Sequence, residues 1–236
     1  MALEQQFIDE VFLSSSIVGA ATKTVTVTPT YPHQPGRVVV IAVAWTPVLG
    51  AGAAAITSLT VDGVSATNIA TADNGTAVAA LYRFPNPPAI ASYDVVTTWD
   101  NGVNAVNGDL AVYLLEQVDM SNPVKNSGQN TGTGTTSTVA LGAITAEEIA
   151  IAAFSQFNGT TTTTTTVAAP FAGDQNLLVG SSPLRVRAIE ASCTSTASGA
   201  LNSTFTPAAS KPFAHVAAIF RGVAILPLRG LMGAGI

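Results

Sequence analysis

The residue types that most often carry chemistry are scarce in this chain, which has two histidines and one cysteine among 236 residues. His33 lies in a Pro-rich turn segment, and His215 lies within an apolar run. Two histidines without a third ligand do not make a zinc site, so we predict a packing or hydrogen-bonding role for His215. Cys193 is predicted to be a small buried or half-buried side chain. A single cysteine excludes an intramolecular disulfide framework.

Fourteen carboxylates are scattered along the chain. Glu147 and Glu148 are adjacent in a predicted strand, which directs them to opposite faces, whereas a glycosidase needs two carboxylates that converge on one bond. Four aspartates could collect at one end of a sandwich and bind calcium: Asp94, Asp100, Asp109 and Asp119. No D-x-D-x-D-G spacing is present, so solvated loop positions are the favoured interpretation of these residues. The common nucleophile, zinc-protease and P-loop motifs are also missing. We therefore predict a protein without catalytic residues, bound metal or cofactor.

One local group of residues has the composition of a sugar-binding surface. Trp99 is followed by Asp100 and Asn101, and Tyr93 lies earlier in the same predicted strand. An exposed aromatic ring beside polar groups can contact a glycan. Packing of Trp99 in the core is the favoured alternative, because large aromatic side chains contribute most to cores when buried.

The composition excludes several classes of protein. Hydrophobic residues make up 47% of the chain and charged residues 10%, with a net charge of −5, whereas charged residues usually make up about 25%. Disorder requires low hydrophobicity, and nucleic-acid binding requires clustered Lys and Arg, so neither is expected. No apolar stretch reaches the roughly 20 residues of a membrane-spanning helix. The N-terminal segment has Glu4, Asp9 and Glu10 where a secretory signal would be basic and then apolar, so we expect synthesis in the cytoplasm.

Short apolar runs separated by turn residues predict an all-β protein. In residues 37 to 46, large and small apolar side chains alternate, and both faces are predicted to be buried. Asp62-Gly63 and Asn74-Gly75 are strong hairpin signals, with strands expected at residues 56 to 61 and 64 to 70. Residues 120 to 137 are polar and predict a long mid-chain loop. The threonine run 160 to 166 predicts either an exposed edge strand or an extended loop.

These elements suggest one antiparallel β-sandwich with extensions at both ends. We assign residues 1 to 20 to an N-terminal arm, in which residues 3 to 12 are the only candidate helix, 21 to 221 to the sandwich, and 222 to 236 to an apolar tail. Exposed contiguous apolar surface usually marks an interface, although packing of the tail on its own sandwich is equally compatible with the sequence. The possible partner-contacting residues of the tail are Val223, Ile225, Leu226, Leu228, Leu231 and Met232.

The order of motifs between residues 37 and 124 is RVVVIAVAW, ITSLTVDGVSATNIA, ALYRF, SYDVVTTW and DLAVYLLEQVDMSNPV. This order resembles the jelly-roll, concanavalin-like domains of tailed-bacteriophage virion proteins, which include capsid decoration, cement and tail-fibre proteins. The shared motifs are structural, so the resemblance implies a jelly-roll fold and transfers no functional residue.

The resemblance and the composition together favour a non-enzymatic virion protein. The leading hypothesis is a capsid decoration or cement protein that binds the major capsid protein and copies of itself, with a homotrimer expected. The alternative is a tail-fibre or spike module that binds host glycans through Tyr93, Trp99, Asp100 and Asn101. A polysaccharide-degrading enzyme is the third hypothesis and would need converging carboxylates.

Overall fold

In the part of the chain that the computed structural model describes, every regular element is a β-strand, which confirms the predicted all-β class. None of the described residues belongs to a helix of the length and hydropathy needed to cross a membrane. The structure describes residues 8–13, 17–20, 22–29, 36–47, 55–85, 87, 92–100, 106–145, 148–182, 185–194 and 199–223.

Eighteen strands are present in these ranges. Those of the first half are β1 (Ile8–Leu13), β2 (Ile17–Ala20), β3 (Thr22–Val27), β4 (Val38–Pro47), β5 (Ile56–Val61), β6 (Val64–Ser65), β7 (Thr67–Asp73), β8 (Val78–Pro85), β9 (Tyr93–Trp99) and β10 (Val106–Leu115). Those of the second half are β11 (Val124–Gly134), β12 (Ser137–Ile144), β13 (Glu148–Gly159), β14 (Thr165–Val167), β15 (Ala172–Val179), β16 (Arg185–Thr194), β17 (Gly199–Pro207) and β18 (Lys211–Arg221).

The strands form four antiparallel sheets, two from each half of the chain. In the first half, the inner sheet has the order β1-β10-β4-β8-β7, with β2 also paired to β10, and the outer sheet has the order β3-β9-β5-β6. In the second half, the inner sheet is β11-β18-β13-β16-β15 and the outer sheet is β12-β17-β14. Each half is therefore a β-sandwich, and the two inner sheets pack face to face.

The two sandwiches have the same topology. The inner sheets β1-β10-β4-β8-β7 and β11-β18-β13-β16-β15 correspond strand by strand in the order written. The outer sheets β3-β9-β5 and β12-β17-β14 correspond in the same way. The matched strands also follow one another in the same order along the chain. Only the short strands β2 and β6 have no counterpart among the described residues. The structure therefore contains two sandwiches of one design in tandem, where the sequence predicted one sandwich over residues 21 to 221.

Three apolar cores separate the four layers. Within the first sandwich, Ile41 and Trp45 of β4 face the outer sheet, whereas Val40 and Ala42 of the same strand face the other sandwich. Successive side chains of a strand point to opposite faces, so a strand in a middle layer needs apolar residues at every position. This confirms the prediction that both faces of residues 37 to 46 are buried.

The predicted hairpin turn at Asp62-Gly63 is confirmed. Both residues have positive φ, 48° and 78°, as a type I′ turn requires, and they join β5 to β6. Gly75 also has positive φ, 84°. Next to it, the Asn74 side chain donates hydrogen bonds to the carbonyl oxygens of Gly132 and Phe213 in the second sandwich, over 3.2 and 2.9 Å. The second predicted turn therefore also joins the sandwiches.

Three other predictions change. The helix expected at residues 3 to 12 is wrong where it is described, because Ile8–Leu13 pairs with β10 as a strand, and Ile17–Ala20 does so too. The loop expected at residues 120 to 137 is wrong, because it contains β11. That strand lies at a sheet edge and is mostly exposed or half-exposed, so it lacks the apolar alternation that identifies buried strands. The threonine run was predicted as either an edge strand or an extended loop, and it contains both. Residues Thr165–Val167 form an edge strand, and Thr161 to Thr164 are irregular.

Gly108 on β10 offers a test of the close packing between neighbouring strands. A Cβ atom there would clash with the Ala44 carbonyl oxygen and lie 2.6 Å from Trp45 Cβ. We expect Gly108→Ala to lower the free energy of unfolding by about 1–3 kcal/mol, because overpacked sites must distort their surroundings. Gly199→Ala is the matched control, since no atom lies within 4 Å of the added methyl, and it should change stability by less than about 0.5 kcal/mol. Urea denaturation measures both, and equal effects would contradict the steric explanation.

Candidate functional site

His215 is enclosed in the core of the second sandwich. Its Nδ1 lies 3.1 Å from Ser137 Oγ, its Nε2 lies 2.9 Å from Ser203 Oγ, and all three side chains are fully buried. Burial lowers the pKa of His215 to about 3. A neutral imidazole has one donor and one acceptor nitrogen, so one serine hydroxyl accepts and the other donates. The predicted hydrogen-bonding role is confirmed. His33 lies outside the described residues.

The predicted sugar-binding aromatics are core residues. Tyr93 and Trp99 are 2% and 1% exposed, and the Trp99 ring packs edge-on against Trp45 with centroids 6.3 Å apart. Both lie on the buried face of β9, because their positions differ by six and alternate residues of a strand share a face. These rings are not available to a glycan, which corrects the glycan-contact assignment and confirms the core alternative. Asp100 is exposed, and Asn101 lies outside the described residues.

The remaining predicted site residues are placed as follows. Cys193 is buried, and burial raises the pKa of its thiol, which confirms the packing prediction. Val223, the first residue of the proposed contact set in the tail, is 50% exposed. The other five lie outside the described residues: Ile225, Leu226, Leu228, Leu231 and Met232.

The four aspartates considered for calcium do not converge. Asp94 is exposed and accepts a hydrogen bond from Thr26 Oγ1, and Asp119 accepts hydrogen bonds from the Ser121 backbone and hydroxyl, which lower its pKa. Asp109 is fully buried on β10. Within the described ranges, no three or more His, Cys, Asp or Glu side chains are arranged to hold a metal ion.

Two ion pairs involve glutamates at corresponding ends of the two sandwiches. Arg37, just before β4, pairs with Glu116, just after β10, and both side chains are buried. Glu148, at the start of β13, accepts a hydrogen bond from Lys125 Nζ at 2.8 Å, and the Lys125 side chain is 26% exposed. Glu147 lies outside the described residues. The described glutamate of the predicted Glu147-Glu148 pair is therefore engaged in structural contacts.

A group that the sequence did not predict lies between the inner sheets. It comprises Asp109 and Tyr113 on β10, Asp174 on β15 and Glu190 on β16, and we call it the acidic cluster. Tyr113 Oη donates a hydrogen bond to Asp174 Oδ2 at 2.8 Å. Glu190 is fully buried, and neither of its carboxylate oxygens has a hydrogen-bond partner.

The electrostatics of the acidic cluster favour bound protons. Burial, followed by the charges of Asp109 and Asp174, raises the pKa of Glu190 well above its ordinary value. Burial also raises the pKa of the half-buried Asp174. For Tyr113, burial and the nearby carboxylates raise the pKa well above 10.0. The direction of these shifts favours the protonated form of Glu190.

One signal for this cluster is present in the sequence. Glu190 falls within the strand LRVRAIEAS at a position that shares its face with Val186 and Ala188. A carboxylate on an apolar strand face is a candidate for burial, and buried carboxylates are rarely without partners.

No protein-family model, curated protein or solved structure matches this chain.

Proposed function

We propose that this protein is a non-enzymatic structural component of a tailed-phage virion, a capsid decoration or cement protein that works by subunit contacts. The observation that carries this proposal is the character of the outer sheets. Their solvent-facing positions are mostly small, uncharged and hydrogen-bonding, as on β3, where Thr22, Thr24 and Thr26 are exposed, and on β17, where Asn202 and Thr206 are exposed.

Such faces are suited to lasting protein contacts. The centres of protein interfaces are depleted of charged residues, because a charge buried without a partner loses its hydration at a large cost. Threonine presents a methyl group and a hydroxyl on a stiff side chain, so ordering it in an interface costs little entropy. The resemblance of residues 37 to 124 to jelly-roll virion domains is the second support, and it directs the proposal to the major capsid protein and other copies of this chain as partners.

The proposed action is mechanical. Burial of apolar surface across neighbouring capsid subunits contributes about 25 cal/mol per Å², and a standard interface buries about 1,600 Å² in total. The sandwich pair supplies a scaffold between such contacts, since the central strands of its inner sheets, β4, β10, β13 and β18, are almost fully buried. A shell held in this way would resist internal pressure without any chemical step.

Localisation in particles tests the proposed role. Particles should be purified from a lysate in which the chain is expressed from its native genome, and labelled with an antibody for electron microscopy. We expect label distributed over capsid faces, and capsids that lack the protein should rupture at lower temperature and lower salt. Absence of label from particles would overturn the virion role, and label confined to the tail would overturn capsid decoration.

The oligomeric state is a separate prediction. Light scattering on the purified protein is expected to give a mass three times the 23.9 kDa of one chain, since closed symmetry is the norm for such assemblies. Deletion of residues 223 to 236 is expected to weaken capsid binding or trimer formation. Monomers in the full-length protein at micromolar concentration would exclude the trimer, and unchanged binding and assembly after the deletion would exclude the tail as an interface.

A further inference from the structure

The interface between the two sandwiches is asymmetric in one respect. The inner sheets meet so that β10 lies against β15 and β16 at one end, and the matched strands β18, β7 and β8 meet at the other end. At the second end, β8 contributes Ala79 and Leu81 to the shared core, and the β18 residues in that core are Ala214, Val216, Ala218 and Phe220. The acidic cluster occupies the first end.

The apolar packing at the second end shows that two inner sheets of this topology can pack without carboxylates between them. Two sandwiches of one topology pack with alanine and leucine at one end and with three carboxylates and a tyrosine at the other. An isolated buried charge costs several kcal/mol, so ionised Glu190, which has no basic partner among the described residues, would weaken the interface at this end.

Among the groups around Glu190, only its own backbone N–H favours the ionised form. Across the interface, Asp109 and Tyr113 face it from β10, and within its own sheet Asp174 lies on β15, beside Gln175, which pairs with Glu190 in register. Ala153 pairs with it on β13, and Ala42 faces the same core from β4. No described lysine or arginine contributes to the electrostatic environment of Glu190.

We propose that the acidic cluster is a proton-linked lock between the two sandwiches, closed while Glu190 carries a proton and loosened at the β10, β15 and β16 end when Glu190 ionises. Ionised Glu190 would be a third negative charge beside Asp109 and Asp174 in a water-poor interface, where repulsion is strong. Asp174, on the edge strand β15, is half-buried and is the member of the cluster that is exposed to solvent.

The direction of the pH dependence follows from the raised pKa. The folded protein holds the Glu190 proton more tightly than the unfolded chain, so its stabilising contribution is complete below the ordinary glutamate pKa. That contribution is lost as the pH rises toward the folded pKa. Over this window the unfolding constant should rise by up to about tenfold per pH unit.

The test compares the full chain with Glu190→Gln, which keeps the shape and removes the titration. Urea midpoints between pH 5 and 9 are expected to fall with pH in the unaltered protein, and to fall much less in Glu190→Gln. Asp94→Asn, an exposed carboxylate on the outer sheet, is the matched control and should keep the full pH dependence. Parallel pH profiles for the unaltered protein and Glu190→Gln would overturn the proposal.

Two further measurements keep the proposal decidable if the variant folds poorly. Hydrogen exchange on the unaltered protein, corrected for the intrinsic effect of pH, should show protection lost first in β10, β15 and β16 as pH rises. Uniform loss of protection across both sandwiches would overturn the lock. Infrared spectra with isotope-labelled glutamate should show a protonated carboxyl group at pH 6, and an entirely ionised glutamate signal at that pH would also overturn it.

Discussion

Replacement of the buried Ser137, His215 and Ser203 by Ala, Leu and Ala is expected to remove the main histidine contribution to acid unfolding. The folded pKa of His215 is lowered from 6.5 to about 3 because the imidazole is buried. Its stabilising contribution is therefore complete above pH 6.5 and is lost as the pH falls toward 3. A difference of about 3.5 pKa units corresponds to about 5 kcal/mol. In the triple variant, that part of the acid dependence should be absent.

The triple variant is chosen because His215→Leu alone would leave two buried serine hydroxyls without a partner, at about 1–3 kcal/mol each. Phe205→Leu is the matched control, because Phe205 packs edge-on against the His215 ring with centroids 4.7 Å apart and carries no titratable group. It should lower stability at every pH and retain the acid dependence. Urea denaturation from pH 7 to pH 3 distinguishes them. If the triple variant unfolds with the same acid profile as the unaltered protein, another group controls that transition.

Individual strands and turns could be predicted from the sequence, whereas the stacking of the strands into four sheets could not. The apolar alternation on both faces of residues 37 to 46 and the turn at Asp62-Gly63 each depend on local rules, and both predictions are confirmed. The tandem design depends on β11, whose Asn, Gly, Ser and Thr residues give no strand pattern because the strand is at an edge. Because residues 120 to 137 predict a loop, the sequence does not reveal the first strand of the second sandwich.

The two halves also share topology with little shared sequence. Strand β4 reads VVVIAVAWTP and its counterpart β13 reads EIAIAAFSQFNG, and what they have in common is a run of apolar residues on both faces. Any volume-matched apolar set can fill such a layer, so the repeat leaves no motif to detect. Sheet order, rather than residue identity, reveals the duplication.

The acidic cluster was missed because of a small error in a strand boundary. The sequence favours a solvated loop position for Asp109, but this residue lies inside β10, which begins at Val106. A shift of three residues moves Asp109 from a loop end into a layer that is covered on both sides. For Glu190, strand alternation identifies the residues that share its face. It does not show that this face packs against the other sandwich.

Arg37→Met is expected to lower the free energy of unfolding by about 3–5 kcal/mol, because it leaves the Glu116 carboxylate buried without its ion partner. Both side chains of the pair are almost fully buried, at 2% and 8% exposure. Glu116→Leu should cost a similar amount for the same reason. The double variant Arg37→Met/Glu116→Leu should recover most of the loss, since apolar residues often replace a buried ion pair at little cost.

Lys125→Met is the matched control for this pair, because Lys125 and Glu148 form an ion pair at the corresponding end of the second sandwich. Lys125 is 26% exposed, against 2% for Arg37, and Glu148 keeps a hydrogen bond from the Thr145 backbone N–H after its loss, so Lys125→Met should cost less than Arg37→Met. Urea denaturation of the unaltered protein, Arg37→Met, Glu116→Leu and the double variant gives the coupling energy of the buried pair. A cost for Arg37→Met no larger than that for Lys125→Met would show that water reaches the Arg37 site. Strictly additive effects in the double variant would show that the two charges do not stabilise each other.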